Sequence, residues 1–229
     1  MNWHTRLFVA VMAAVAAGLL VASLLHPHIS DPVRFAAFAL TALLASAFRV
    51  RIAPLDGTYS LSFLVLLSAV YELEMGELLL VALGSAVVQS YWRAAKRPQL
   101  IQVVFNAANV AISVAGAYGL YTLHLWPADW LFLSGGLAAL GFYILNTGLT
   151  SAVLSLVHGG SLKQVWGHWN FYTLPYYLLG STLSSAWTFC SRQFHWQEMV
   201  VIVLTLYLLF RLLRSFVSTQ QASGARCAK

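Results

Sequence analysis

The residues of this sequence best suited to binding chemistry are side-chain amides within a long apolar stretch, residues 100–123. Four polar residues there are spaced i, i+4, i+7 and i+11 and therefore share one face of a helix: Gln102, Asn106, Asn109 and Ser113. Because a buried polar group without a partner costs about 1 to 3 kcal/mol, this face must point into protein or into a cavity. Amides both donate and accept hydrogen bonds, so the pattern predicts a pocket for a small polar or amphipathic ligand.

Further neutral polar residues fall within two neighbouring apolar stretches. The predicted ligand-binding set comprises residues from all three stretches: Gln89, Gln102, Asn106, Asn109, Ser113, Asn146 and Thr150. The alternative is plain hydrogen bonding between helices, which is worth about 0.6 kcal/mol on average in membrane bundles. Three amides on one helix exceed what such packing usually needs, and both interpretations stay open.

The residue types needed for catalysis are not found at membrane depth. The seven histidines fall in predicted loops or at the ends of apolar stretches, and none belongs to a His-Glu-x-x-His motif. His26 and His28 form a loop pair with no third metal ligand in view. Three serines of a later apolar stretch have no lysine or histidine companion, and no Gly-x-Ser-x-Gly motif occurs. The sequence therefore predicts a non-enzymatic protein with no catalytic residue, metal or cofactor.

Charged residues within the apolar stretches are also scarce. Glu72 is the closest candidate, and it is expected with Glu74 and Glu77 in an acidic loop at the outer interface. Without a carboxylate inside the membrane, a proton-driven pump or antiporter is disfavoured.

Composition places the chain among integral membrane proteins. It is 60% hydrophobic and only 9% charged, whereas an ordinary soluble domain has about 25% charged residues. We expect a single transmembrane helical domain, residues 1–217, and a short cytoplasmic tail, residues 218–229. The net charge of +6 comes from basic residues scattered between apolar runs, so no nucleic-acid partner is expected.

The predicted fold is all-α: a polytopic transmembrane helix bundle of about eight spans. The predicted spans are residues 7–25, 33–48, 59–73, 78–92, 100–123, 130–157, 171–190 and 199–216. The second and third spans are short, and omitting both gives a six-span alternative. Residues 54–58, which lie between those two spans, predict a turn.

The distribution of basic residues predicts that both termini lie in the cytoplasm. In the eight-span layout every lysine and arginine except Arg34 and Arg192 falls on the cytoplasmic side, as the positive-inside rule requires. The six-span layout would move Arg49 and Arg51 to the outside, which favours eight spans. The expected surroundings are the lipid bilayer of the cell membrane, crossed several times.

The motifs that suggest a family are short: PLDGTYSLSF at residues 54–63, VFNAANVAIS at 104–113 and LNTGLT at 145–150. Together they resemble the membrane-associated sensor regions found ahead of diguanylate cyclase and HD-type phosphodiesterase domains in bacteria. The resemblance implies an inner-membrane sensor that passes a signal to a cytoplasmic output domain. Because no catalytic domain follows Arg214, it implies either a membrane fragment of a longer protein or a stand-alone relative with a partner protein as its output.

A second similarity is to the substrate-binding membrane subunits of energy-coupling-factor vitamin transporters, which are small alanine-rich bundles. Those subunits generally have six spans. The small-residue face of Ala10, Ala14 and Gly18 would suit docking of such a subunit on a membrane partner. Three functions are therefore expected: a sensor that binds a small molecule or lipid and signals to a cytoplasmic partner, a transport component, or a structural subunit of a membrane complex.

Overall fold

The computed structural model describes residues 3–25, 31–47, 49–51, 58–92, 97–127 and 130–193. The chain divides into two units, Met1–Thr188 and Phe189–Lys229. All packing described below lies in the first unit, and the described part of the second is the end of one helix. The predicted span at 199–216, the boundary at 217 and the cytoplasmic tail fall outside the described residues.

The described part of the chain forms seven helices and one short antiparallel ribbon. The helices are α1 (Trp3–Leu24), α2 (Pro32–Ala47), α3 (Ser62–Glu72), α4 (Met75–Tyr91), α5 (Leu100–Thr122), α6 (Leu131–His158) and α7 (Leu162–Gln193). The ribbon pairs β1 (Arg49–Arg51) with β2 (Thr58–Ser60), so that Arg49 lies opposite Ser60. The helical class is thus confirmed, whereas the ribbon was not predicted. Residues 54–57 of the predicted turn lie outside the described residues.

Three helices are long and apolar enough to cross a membrane: α1, α5 and α6, with 22, 23 and 28 residues. At 1.5 Å per residue, each is long enough to cross a hydrocarbon core of about 30 Å. The apolar helices α2, α3 and α4 are shorter, and the 11 residues of α3 rise only about 16 Å. These helices agree with the membrane class that the composition predicts. Helix α7 starts at Leu162, earlier than the predicted span, and continues past Pro175.

Helix α5 has the most buried surface of the three long apolar helices. Half of its most apolar 18-residue segment is buried, against 17% in α1 and 28% in α6. It contacts α1, α3, α4 and α6. A buried cluster joins it to α1 and α4: Val9, Met12, Ala16, Leu79, Phe105, Ala108, Ala111 and Ala115. Neighbouring helices therefore contact α5 on several sides, and of its polar face Asn109 and Ser113 are buried whereas Gln102 and Asn106 are exposed.

Glycines allow α5 and α6 to approach closely. A Cβ added at Gly116 would overlap the Leu145 side chain, and a Cβ added at Gly141 would overlap the Leu120 side chain. On each of the two helices, a glycine thus leaves room for a leucine side chain of the other helix. The two helices interlock at this level, where larger residues would push them apart.

Small residues spaced four apart on α5 and α1 differ in whether they pack against a neighbouring helix. Ala111 and Ala115 of α5 pack in the buried cluster, whereas Gly119 has open space beside it. The predicted face of α1 is exposed: Ala10, Ala14 and Gly18. The residues of α1 that are buried follow a different line: Thr5, Val9, Met12 and Ala16.

The acidic residues expected in a loop lie at helix ends. Glu72 is the last residue of α3, and its carboxylate pairs with Arg34 Nη1 at 3.0 Å. The Glu74 side chain accepts from the Glu77 backbone, and the Glu77 carboxylate accepts the Glu74 backbone N–H at 3.2 Å. Glu77 thus lies in the first turn of α4 rather than in a loop, because a carboxylate there pairs with free backbone donors.

The buried contact around Gly135 gives a test of helix packing. A Cβ at Gly135 would overlap the Tyr71 hydroxyl, which is hydrogen-bonded to Ser185 Oγ at 2.8 Å, whereas a Cβ at Gly136 meets nothing within 4 Å. We expect Gly135→Ala to lower the free energy of unfolding by about 1 to 3 kcal/mol. The control Gly136→Ala should be neutral or stabilise by up to about 1 kcal/mol. Equilibrium unfolding of the full chain in mixed micelles measures both, and equal values would contradict this packing.

Candidate functional site

A cavity of about 980 Å³ opens within the first unit. Its wall comes from the first turns of α1 and α3, the first half of α5, the end of α4, the second half of α6 and the middle of α7. Helices α5 and α6 are antiparallel, because Asn109 pairs with Asn146 and Thr150 whereas Leu120 lies against Gly141, so the first half of α5 and the second half of α6 share one end of the unit. Along α5 the wall runs from Gln99 to Val110, a rise of about 16 Å and roughly half of a hydrocarbon core.

The deepest polar part of the wall is a hydrogen-bonded group that joins α5 to α6. Asn109 Nδ2 donates to Asn146 Oδ1 at 3.0 Å and to Thr150 Oγ1 at 3.1 Å. Thr150 Oγ1 in turn donates to the backbone carbonyl of Asn146 at 2.7 Å. Asn109 is only 5% exposed. The three side chains therefore connect the two helices, and they also line the cavity.

Nearer the mouth, the polar side chains are less tightly held. Asn106 Nδ2 donates to Ser90 Oγ at 3.3 Å, which joins α5 to the end of α4. Gln102 Oε1 accepts the backbone N–H of Gln99 at 3.0 Å and so caps the start of α5. Gln89 is half-buried and makes no hydrogen bond to a described residue. These amides keep donors and acceptors that α4 and α5 do not use.

Six of the seven predicted ligand-binding residues lie on this one wall: Gln89, Gln102, Asn106, Asn109, Asn146 and Thr150. The seventh, Ser113, does not line the cavity. Its hydroxyl is buried and donates to the Asn109 carbonyl at 2.7 Å. The Ser113 hydroxyl therefore finds its hydrogen-bond partner within its own helix. Binding of a ligand by the other six stays a prediction.

The wall also includes aromatic residues that the sequence analysis did not single out. Phe63 lies with its ring centroid 5.0 Å from that of Phe142 and 4.7 Å from that of Tyr177. Tyr176 lies 5.4 Å from Phe63 by the same measure, and all four rings line the cavity. Their origin on three helices, α3, α6 and α7, explains why no local spacing reveals them. The cavity therefore has an amide wall and an aromatic wall.

Among the described residues that line the cavity, none is Asp, Glu, Lys or Arg. Two buried oxygens of lining residues have no hydrogen-bond partner within the described part of the chain: Thr5 Oγ1 and Asn109 Oδ1. Thr5 was also missed, although it belongs to the i, i+4, i+7 line of buried residues on α1. Chemically, the site offers neutral hydrogen bonding beside aromatic surface.

No family model, no curated protein and no solved structure matches this chain. The similarity to bacterial sensor regions therefore depends on the short sequence motifs alone. Within the described ranges, no three His, Cys, Asp or Glu side chains are grouped as a metal site would require.

Two asparagines one helical turn apart on α5 provide a test of the polar wall. Asn109→Ala removes the three hydrogen bonds that Asn109 Nδ2 donates to α6 and should lower the free energy of unfolding by about 1 kcal/mol or more. Asn106→Ala removes one longer hydrogen bond at an exposed position, so about 0.5 kcal/mol or less is expected. Unfolding titrations in mixed micelles give both values. If Asn106→Ala is the more costly substitution, the polar link between α5 and α6 is not at Asn109.

Proposed function

We propose that this chain is a non-enzymatic integral membrane protein that binds a small molecule or lipid in the cavity and signals to a cytoplasmic partner. One observation carries the proposal: six neutral polar residues from three apolar helices converge on a single cavity wall. Interhelical packing alone needs only the buried group around Asn109. It does not account for Gln89 and Gln102, whose amides line the same space and make no hydrogen bond to a described residue of a neighbouring helix.

The cavity supplies a means of signalling. Six helices contribute to its wall, so a bound molecule contacts several helices at once. Such a molecule favours one helix arrangement over another if its affinity for the two differs. The protein partner would detect that arrangement at the end of the bundle where the cavity opens.

We further propose the eight-span layout in the bacterial inner membrane, with both termini in the cytoplasm. Arg6, Arg97 and Lys163 all lie at the end of the helices where the cavity opens. At the opposite end, Arg34 is paired with Glu72 and so carries little uncompensated positive charge. This asymmetry supports a cytoplasmic position for the cavity end.

A transport component is the second candidate, and the surface of α1 favours it. Ala10, Ala14 and Gly18 are exposed, and an added Cβ at Gly18 meets nothing within 4 Å. Small residues on a lipid-facing helix allow a second membrane protein to approach closely. Uptake of a candidate vitamin into liposomes, with and without a coupling module, separates transport from sensing.

Filling the cavity tests the proposed function directly. Val110 lines the cavity, whereas Val87 of α4 is 40% exposed and does not. We expect native mass spectrometry of the full chain from its own membranes to show a bound molecule of defined mass. Val110→Phe should lose at least nine-tenths of it because the added ring occupies the space, while the control Val87→Phe should keep it. Equal occupancy in all three proteins would refute ligand binding in this cavity.

Cysteine labelling tests the layout. In a background with Cys190→Ser and Cys227→Ser, we introduce Gln164→Cys at the start of α7 or Thr122→Cys at the end of α5, both exposed positions. A membrane-impermeant maleimide should label Thr122→Cys on intact spheroplasts and Gln164→Cys only after permeabilisation. The opposite pattern would reverse the proposed orientation.

A further inference from the structure

We propose that the cavity takes a neutral molecule that joins an aromatic ring to a hydrogen-bonding amide-like group, and that this molecule enters from the basic end of the bundle. The inference rests on the proposed function, since it names the chemical class of ligand for the same site. Four features of the wall support it: its mouth, its lack of charge, its paired amide and aromatic sides, and its unpartnered oxygens.

The direction of entry follows from where the lining residues lie along their helices. On α5 they fall between Gln99 and Val110, and none comes from the second half of that helix. On α6 they fall between Phe142 and His158, in the second half of that helix. Beyond them, Gly116 and Gly141 receive the leucines of the facing helix and close the space. The cavity therefore ends blindly halfway and opens beside Gln99 and His158.

A charged ligand does not suit this wall. No described lining residue is Asp, Glu, Lys or Arg, and His158 lies at the mouth, so a carboxylate or ammonium group held deeper among the amides would lose its water without gaining a counter-ion from the described residues. Amides suit a neutral amide, imide or urea, because each can donate to its carbonyl and accept from its N–H. Gln89 of α4 and Asn146 of α6 both line the cavity, so amides from two helices are available to such a group.

The ring is inferred from the aromatic part of the lining. Phe63, Phe142 and Tyr177 already contact one another with centroids about 5 to 6 Å apart, and all line the cavity. A further ring seated against them would make the offset or edge contacts that aromatic side chains favour. An acyl chain would gain only its apolar area there. The aromatic wall thus favours a ring over a lipid tail.

The unpartnered oxygens indicate that the ligand is a hydrogen-bond donor. Asn109 Oδ1 is an acceptor only, and it is buried in the wall with no partner in the described part of the chain. Thr5 is only 1% exposed, and its Oγ1 likewise has no partner in the described part of the chain. Neighbouring atoms cover both oxygens, so a small side-chain rotation must accompany donation to them. A ligand N–H would then satisfy an acceptor that the protein leaves unpaired.

Four probes separate these requirements: 2-naphthamide carries the ring and the neutral amide, 2-naphthoate replaces the amide by a charge, 2-ethylnaphthalene removes hydrogen bonding, and decanamide replaces the ring by a chain. Equilibrium dialysis against nanodiscs with and without the full chain measures saturable binding of each. We expect 2-naphthamide to bind about one molecule per chain and at least tenfold more tightly than the other three. Gln89→Leu should weaken its binding at least threefold, and the control Gln164→Leu, outside the cavity, should not change it.

The outcomes distinguish the ligand class from the function. Equal binding of 2-naphthoate or decanamide would overturn the class while leaving a ligand-binding cavity in place. Equal loss with Gln89→Leu and Gln164→Leu would place the probe outside the cavity and overturn the assignment. Absence of saturable binding by 2-naphthamide would also overturn the class, and the proposed function would fall with it only if Val110→Phe retained the molecule seen by mass spectrometry.

Discussion

The fold depends on one constraint: a polar group held in an apolar helix bundle must find a partner there. Asn109 meets that constraint by donating to Asn146 and Thr150, which fixes α5 against α6 at one level of the bundle. Ser113 meets it within its own helix, through the carbonyl of Asn109. Because the amide cannot be left in lipid, the sequence that places Asn109 on α5 also requires α6 beside it.

The same two helices are held in a second way further along. Gly116 and Gly141 accommodate leucines from the facing helix, so α5 and α6 are close-packed there without polar groups. Towards the basic end the small residues give way to amides and valines, and the helices leave space between them. Helices α5 and α6 are therefore close-packed at one level and leave the cavity at another. The hydrogen bonds of Asn109 to Asn146 and Thr150 lie between these two levels.

The sequence predicted the polar wall because helical spacing is a local property. Gln102, Asn106 and Asn109 share one helical face, and that face lines the cavity. The aromatic wall could not be predicted in this way, because Phe63, Phe142 and Tyr177 lie on different helices and meet only through tertiary packing. Tertiary packing also decides which small residues are buried. Ala111 and Ala115 pack against neighbouring helices whereas Ala10 and Ala14 are exposed, because composition alone does not reveal which side of a helix has a neighbour. The ribbon between α2 and α3 was missed because its two strands have only three residues each.

In the proposed function, the position of Asn109 would link ligand binding to helix arrangement. Its amide nitrogen donates to α6, while its amide oxygen, which has no partner among the described residues, belongs to a residue of the cavity wall. A donor that reaches this oxygen requires the amide to rotate, and rotation changes the hydrogen bonds to Asn146 and Thr150. Any molecule that pairs with Asn109 therefore has a different affinity for the arrangement in which those bonds are kept and the one in which they are changed. Differential affinity is the thermodynamic requirement for a ligand to shift a conformational equilibrium, and we propose that Asn109 supplies it.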